Sequence, residues 1–522
     1  MIFQNEPMKT SLFKFASPVV AALLVFHLQT GAVATDTAVT NSAALRLAAI
    51  FGDNMVLQQQ QRVPIWGWAD PGAGVTVKFA GQTKATRAAA EGKWRVKLGK
   101  LKASVEPQIL VVELEGGASP GGHPSQVALT NILVGEVWLA SGQSNMEKPI
   151  GRQPCQRPVF NAEQELAAAN YTGIRIFQVQ KNLAAAPLAD LAAFHGWQES
   201  SSNALDSISF SAAAYFFARN LHTNLNVPIG LIESSWGGTR IEPWTPPAGF
   251  ESVRSQAKFA RERINPDRPS NTRPTAIYNA MISPLAGFAL RGVIWYQGES
   301  NLMGTNADND YRGYPDKMRA LVGGWRRVWG EGDFPFYFVQ IAPFKYWGGR
   351  VRRVASPEML PEFWTLQSRA ARQIRNTGVV VTTDLTDNLN DIHPRNKQDV
   401  GLRLALLARH NTYGQKDVVC QGPEFRKMKI KDDEAVLTFD HADGGLASRD
   451  GQPLTWFTIA GADGKFVIAD AKIAENTVVV SAAGIDRPRA VRFAWDETAE
   501  PNLCNRAGLP AEPFRTDKPA GK

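Results

Sequence analysis

Between residues 45 and 130 apolar and polar residues alternate one for one. Val75, Val77 and Phe79 are separated by Thr76 and Lys78, and Trp94, Val96 and Leu98 by Arg95 and Lys97. The turn-forming pairs Pro71-Gly72, Glu91-Gly92 and Gly116-Gly117 punctuate the pattern. Short strands with one buried face and regular turns predict an antiparallel β-sandwich-like domain over 45–130. The pattern changes at Asn131. Residues 132–140 form a nearly continuous apolar run, as a strand covered on both faces requires. Similar runs recur at 174–179, 229–232, 292–296, 336–341 and 379–383, and helical stretches at 209–225, 311–329, 363–374 and 398–410 fall between several of them. Strands alternating with helices predict a doubly wound parallel sheet, an α/β/α domain over 131–412. After Tyr413 the one-for-one alternation returns at 436–439, 456–460, 478–480 and 491–495. A second β-sandwich-like region is therefore expected over 413–522, with an irregular tail from Pro501.

Composition changes this picture little. With 522 residues, 44% hydrophobic and 20% charged, the chain has the make-up of a folded protein of about three domains. The N-terminus adds an address. Lys9 and Lys14 precede an apolar run at 18–26, and Ala32-Val33-Ala34 follows. This order predicts a secretory signal peptide over 1–34, cleaved near Ala34, and a periplasmic or secreted mature protein. The apolar run is too short to span a bilayer, and no transmembrane segment is expected after signal removal. Three cysteines exclude a disulfide-dense scaffold and a four-cysteine zinc site. Outside the cytosol, Cys420 and Cys504 are a candidate pair that would leave Cys155 over, though spacing alone does not establish the pairing. The formal net charge of +8 invites a nucleic-acid partner. Lys9 and Lys14 against Glu6 carry one unit of it, so the mature chain keeps about +7 over nearly 490 residues. Without a nucleic-acid-binding motif this is a solvated surface, and no nucleic-acid partner is expected.

In open parallel sheets, sites form beyond the carboxyl ends of the strands. Small, polar and glycine-rich loops follow several predicted strands here: 141–146, 234–240, 297–301 and, near the domain's end, 391–394. Their residues suit nucleophilic acyl transfer. Ser144 follows a tight turn at Gly142 and opens a helix. A serine hydroxyl needs a base, and His393 is placed to serve, with Asp391 to hold its tautomer. The backbone N–H groups of Ser144 and Gly238 and the side-chain amide of Gln297 are candidate oxyanion donors. Asn145, Arg240, Glu299 and Trp244 are candidates for orienting these groups or the substrate. Taken singly, each element has a plainer reading as a cap, a turn or core. Their recurrence at strand ends gives the set its weight. The glycine that ends a G-x-S-x-G elbow is missing after Ser144, which argues against an α/β-hydrolase.

The stretches GEVWLASGQSNM (135–146), ESSWGGTRIEPW (233–244), YNAMISPL (278–285), GVIWYQGESN (292–301), DIHPRNKQDVG (391–401) and NLCNRAGLPAEPFRTD (502–517) resemble the sialate O-acetylesterase family of the SGNH-hydrolase superfamily. That family is related to bacterial carbohydrate acetylesterases acting on xylan and xyloglucan, and the resemblance covers nearly the whole mature chain. It implies a central SGNH-type α/β/α domain and removal of O-acetyl groups from sugars by a serine mechanism with neither cofactor nor metal. The partner would be an acetylated oligo- or polysaccharide. It also implies that Ser144 is the nucleophile, His393 the base and Gly238 an oxyanion donor, and that Gln297 replaces the asparagine of the SGNH signature. The widest SGNH pattern puts the acid three residues before the histidine, where this chain has Asn390; Asp391 is the first choice, with Asp384 and Asp387 as alternatives. A general esterase or lipase of the same superfamily, or a non-catalytic sugar-binding protein using Trp244, Tyr346 or Trp347 as platforms, are the competing readings. Trp94 and Trp295, at buried strand positions, are expected to be core.

Overall fold

A computed structural model describes residues 45–116, 125–154, 156–264, 267–304, 311–349, 353–442 and 444–518. The predicted signal peptide and Cys155 lie outside the described residues. Seven strands form the central sheet: β1 (Gln126–Gly142), β2 (Tyr171–Val179), β3 (Phe194–Ser200), β4 (Ile229–Ser235), β5 (Gly292–Tyr296), β6 (Phe336–Val339) and β7 (Thr377–Val380). Their spatial order is β3-β2-β4-β1-β5-β6-β7. All neighbours are parallel except β3, which pairs antiparallel with β2 at the edge. The chain fills one side of β1 first and then crosses to the other, so β1, flanked by β4 and β5, is the switch point where open sheets place their ligands.

Residues along β1 alternate between two cores. Val137 and Leu139 join one cluster with Leu321, Trp325 and Trp364, while Trp138 and Ala140 join another with Phe217, Leu221 and Leu404. Six helices matter for the site: α1 (Ser144–Glu147), α2 (Ala212–Leu225), α3 (Glu299–Leu302), α4 (Tyr314–Trp329), α5 (Met359–Gln373) and α6 (Lys397–Leu407). Helix α2 starts later than the apolar pattern suggests. Ser209 has φ +52°, which no helix accommodates, and Ser211 caps the helix by accepting from the Ala214 N–H at 3.1 Å. Gly401 lets α6 lie close on α2, since a Cβ there would sit 2.6 Å from the Phe216 Cβ and the Phe217 nitrogen.

β1 is 17 residues long, and its first half also pairs antiparallel with Ser104–Leu114. The N-terminal sheet and the central sheet therefore share one strand, running through 130–131. Strand β3 does not show in the apolar pattern. It is an edge strand containing Gly196, with exposed and half-buried positions mixed in no regular order. The tail after Pro501 is also more ordered than its sequence suggests. Leu503–Asn505 pairs with Leu446–Ser448, Phe514–Arg515 pairs with Ala490–Phe493, and Phe514 stacks on Phe425 at 4.5 Å. Such two- and three-residue strands are too short to leave a periodicity. Cys420 and Cys504 are separate free thiols, so the candidate disulfide does not form. The Cys504 sulfur faces the Ala447 carbonyl, whereas Cys420 packs against the core around α2 and α6. No helix among the described residues is long and apolar enough to cross a membrane.

Candidate active site

The ends of β1, β4 and β5 are knitted together by backbone. Gly142 closes β1 at φ +142°, and a Cβ there would lie 2.2 Å from the Tyr296 carbonyl oxygen, so only glycine fits. The Gln143 N–H then donates to that carbonyl at 2.9 Å, and the Trp236 N–H donates to the Gly142 carbonyl at 3.1 Å. The Gln143 Oε1 accepts from Gln297 Nε2 at 3.1 Å and from the N–H groups of Gly298 and Ser300 at 3.3 Å each. Ser144, next in line, is left half-buried at the head of α1.

The loop after β7 brings His393 to it. His393 Nε2 lies 2.9 Å from Ser144 Oγ. Asp391 Oδ1 accepts the His393 backbone N–H at 3.0 Å and stands 3.7 Å from His393 Nδ1. Its other oxygen accepts from Arg157 Nε at 3.2 Å, and Arg157 also pairs with Asp387 at 3.0 Å. Asp384 is committed elsewhere, to Arg403 at 2.6 Å and Arg449 at 3.0 Å. Burial first, and then the Lys397 ammonium, pull the His393 imidazole down to about 4, against the opposing pull of Asp391.

Gly238 is exposed at φ +75° in the turn after β4. Among the described residues neither its N–H nor that of Ser144 has a hydrogen-bond partner. Both are unpaired donors. Gln297 is not: it is fully buried, and its amide N–H groups go to Gln143 Oε1 (3.1 Å), the Thr239 carbonyl (3.2 Å) and Asn301 Oδ1 (2.8 Å). Tyr314 donates to Gln297 Oε1 at 3.0 Å, which fixes the amide orientation. Gln297 thus braces the β1 and β5 loops from behind.

Asn145 and Glu299 are fully buried beneath Ser144. Asn145 Nδ2 donates to Glu299 Oε1 at 2.5 Å and to the Ile392 carbonyl at 3.0 Å, clamping the histidine loop to the serine loop. Lys397 Nζ donates to Asn145 Oδ1 at 2.8 Å and so dictates which way the amide faces. Burial raises Glu299 and lowers Lys397 to about 7. The sequence reading missed Lys397, because a lysine in the first turn of a helix ordinarily points to water. It also missed Glu147, which accepts the Gly237 N–H at 2.6 Å and pairs with Lys181, holding the turn that presents Gly238. Its position three residues after Ser144, on the same helical face, was the available signal.

Trp244 is corrected from a sugar platform to core. It is 0% exposed, donates to Thr239 Oγ1 at 3.0 Å and meets Trp295 edge-on at 6.0 Å. Tyr346 is likewise buried, and so are Trp94 and Trp295 as expected, whereas Trp347 is 38% exposed. Arg240 is half-buried and, among the described residues, makes no hydrogen bond to the site. Ser144, Gly237, Gly238, Phe344, Ile392 and His393 line an open cleft of about 500 Å³.

Residues 134–409 match the model of a family described as carbohydrate esterase, sialic acid-specific acetylesterase. Sialate O-acetylesterase of Homo sapiens is 31% identical over 429 residues, 76% of this chain and 76% of that protein. Its counterpart in Mus musculus is 31% identical over 456 residues, 77% of this chain and 80% of that protein. A carbohydrate acetylesterase from Xanthomonas citri superposes with a TM-score of 0.78 at 36% identity, over 90% of this chain and 99% of that one. The motifs, the strand-end site and these relatives agree that the chain belongs to the sialic acid-specific acetylesterase family of carbohydrate esterases.

Proposed function

We propose that this protein is a carbohydrate O-acetylesterase working through an acetyl-enzyme on Ser144, within an SGNH-type, doubly wound domain flanked by the two β regions. The observation that carries the proposal is the 2.9 Å approach of His393 Nε2 to Ser144 Oγ at the mouth of a cleft with two free backbone donors. His393 takes the serine proton as Oγ attacks the acetyl carbonyl. The N–H groups of Ser144 and Gly238 receive the oxyanion, each such donor being worth on the order of 100- to 1000-fold. His393 returns the proton to the sugar oxygen as it leaves and then activates water to release acetate. Asp391 holds the imidazole. Gln297, Asn145 and Glu299 keep the three loops in register. The purified protein should hydrolyse 4-nitrophenyl acetate and release acetate from acetylated glycans, at a rate that EDTA leaves unchanged. Failure on every acetyl ester would refute the proposal, and loss of activity to EDTA would refute the metal-free mechanism.

The pH dependence follows from His393. A general base acts in its neutral form, so activity is lost as pH falls through the base's pKa. With the imidazole held down to about 4, kcat/KM should stay near its plateau at pH 5.5 and drop only close to pH 4. Lys397→Met removes a charge that depresses the imidazole and should move this acid limb upward. A wild-type limb at the ordinary histidine value of about 6.5 would contradict the buried-base account.

A further inference from the structure

A second hollow of about 370 Å³ adjoins the Ser144 cleft, sharing Glu147, Gln153 and Lys181 with it. It lies on the same carboxyl edge of the sheet, at the ends of β2 and β4, where open sheets bind ligands. Its own lining is Gln178, Gln180, His195, Ser209 and Ser235, with Ile208 as the half-buried apolar side chain among them.

The charged groups there already have partners. Glu233 forms part of the floor, and its oxygens accept from Ser235 Oγ at 2.6 Å, Gln178 Nε2 at 3.0 Å and the Ser211 N–H at 3.0 Å. Lys181 is paired with Glu147. A free anion would find Lys181 taken, a cation would find the Glu233 carboxyl buried behind its donors, and a long acyl chain would find too little apolar wall. What remains is a rim of amides, a hydroxyl and an imidazole, with Gln180 Nε2 3.0 Å from His195 Nε2. Amides both donate and accept, which is what ring hydroxyls require. The half-buried Ile208 side chain suits the C–H face of a sugar.

We propose that this hollow is a subsite for a second, neutral sugar ring, so that the chain deacetylates residues within an oligosaccharide in preference to free acetylated monosaccharides. The inference rests on the esterase reading of the Ser144 cleft. The two clefts together exceed what one acetylated ring fills, since a pocket of about 300 Å³ already holds a small ligand.

The test compares kcat/KM on chemically acetylated xylo-, cello- and malto-oligosaccharides of one to four residues, with 4-nitrophenyl acetate as reference. In at least one series the value should rise about tenfold from one residue to two, the worth of one or two neutral hydrogen bonds. His195→Ala and Gln180→Ala should flatten that rise through KM, lowering activity on the longer substrates more than on 4-nitrophenyl acetate. No length dependence in any series, or variants that lower both kinds of substrate equally, would overturn the subsite. An enzyme inactive on 4-nitrophenyl acetate itself would instead overturn the esterase reading.

Discussion

Ser144→Ala should lower the rate of acetyl-ester hydrolysis by about 10⁵- to 10⁶-fold, the scale on which serine hydrolases depend on their nucleophile. The expectation follows from the geometry. Ser144 Oγ is the hydroxyl that His393 Nε2 reaches, at 2.9 Å. Among the described residues Ser144 Oγ has no other hydrogen-bond partner. Alanine at 144 removes the attacking oxygen but keeps the backbone N–H, so the oxyanion donors survive and some rate above water should remain. His393→Ala should cost about as much, because a serine without its base is as poor a nucleophile as no serine. The double variant should then be no worse than either single one, since the pair acts as a unit. Turnover of 4-nitrophenyl acetate, with thermal melting to confirm folding, checks all three. Retention of more than about 1% of activity in Ser144→Ala would remove the acyl-enzyme mechanism.

That Ser144, His393 and Gly238 line one cleft was legible because of their place along the chain. Each sits just past the predicted sheet, and strand ends are where open sheets form sites. Residues whose role depends on burial were not. Trp244 follows a glycine-rich loop and reads as an aromatic at a cleft mouth, yet the 3₁₀ turn Glu242–Trp244 rolls it inward onto Trp295. Gln297 reads as a free amide donor, but three acceptors around it already use its hydrogens. Lys397 reads as a solvated helix residue and is in fact 0% exposed. The main strands and helices of the sheet were visible as apolar runs. Strand β3 and the paired tail were not, since an irregular edge strand and strands of two or three residues carry no period.

The second large effect concerns the acid. Asp391→Asn should lower kcat by roughly 10² to 10⁴, and Asp387→Asn by less than about tenfold. Both carboxylates share Arg157, so that ion pair does not separate them. Geometry does. Asp391 Oδ1 is 3.7 Å from His393 Nδ1 and is already fixed by the His393 backbone N–H at 3.0 Å, so a small rotation of the ring completes the contact. Catalytic hydrogen bonds are often long before substrate binds and tighten in the reacting complex. Asparagine at 391 presents either a neutral oxygen or an N–H to Nδ1. The neutral oxygen stabilises the imidazolium poorly, and the N–H favours the tautomer that puts the ring proton on Nε2, facing the serine it should deprotonate. Asp387 reaches the imidazole only by way of Arg157, so its amide should loosen Asp391 without displacing it. The split between the variants should appear in kcat more than in KM, because the lost interaction strengthens as positive charge develops on the ring. Equal losses in the two variants would remove Asp391 from the triad.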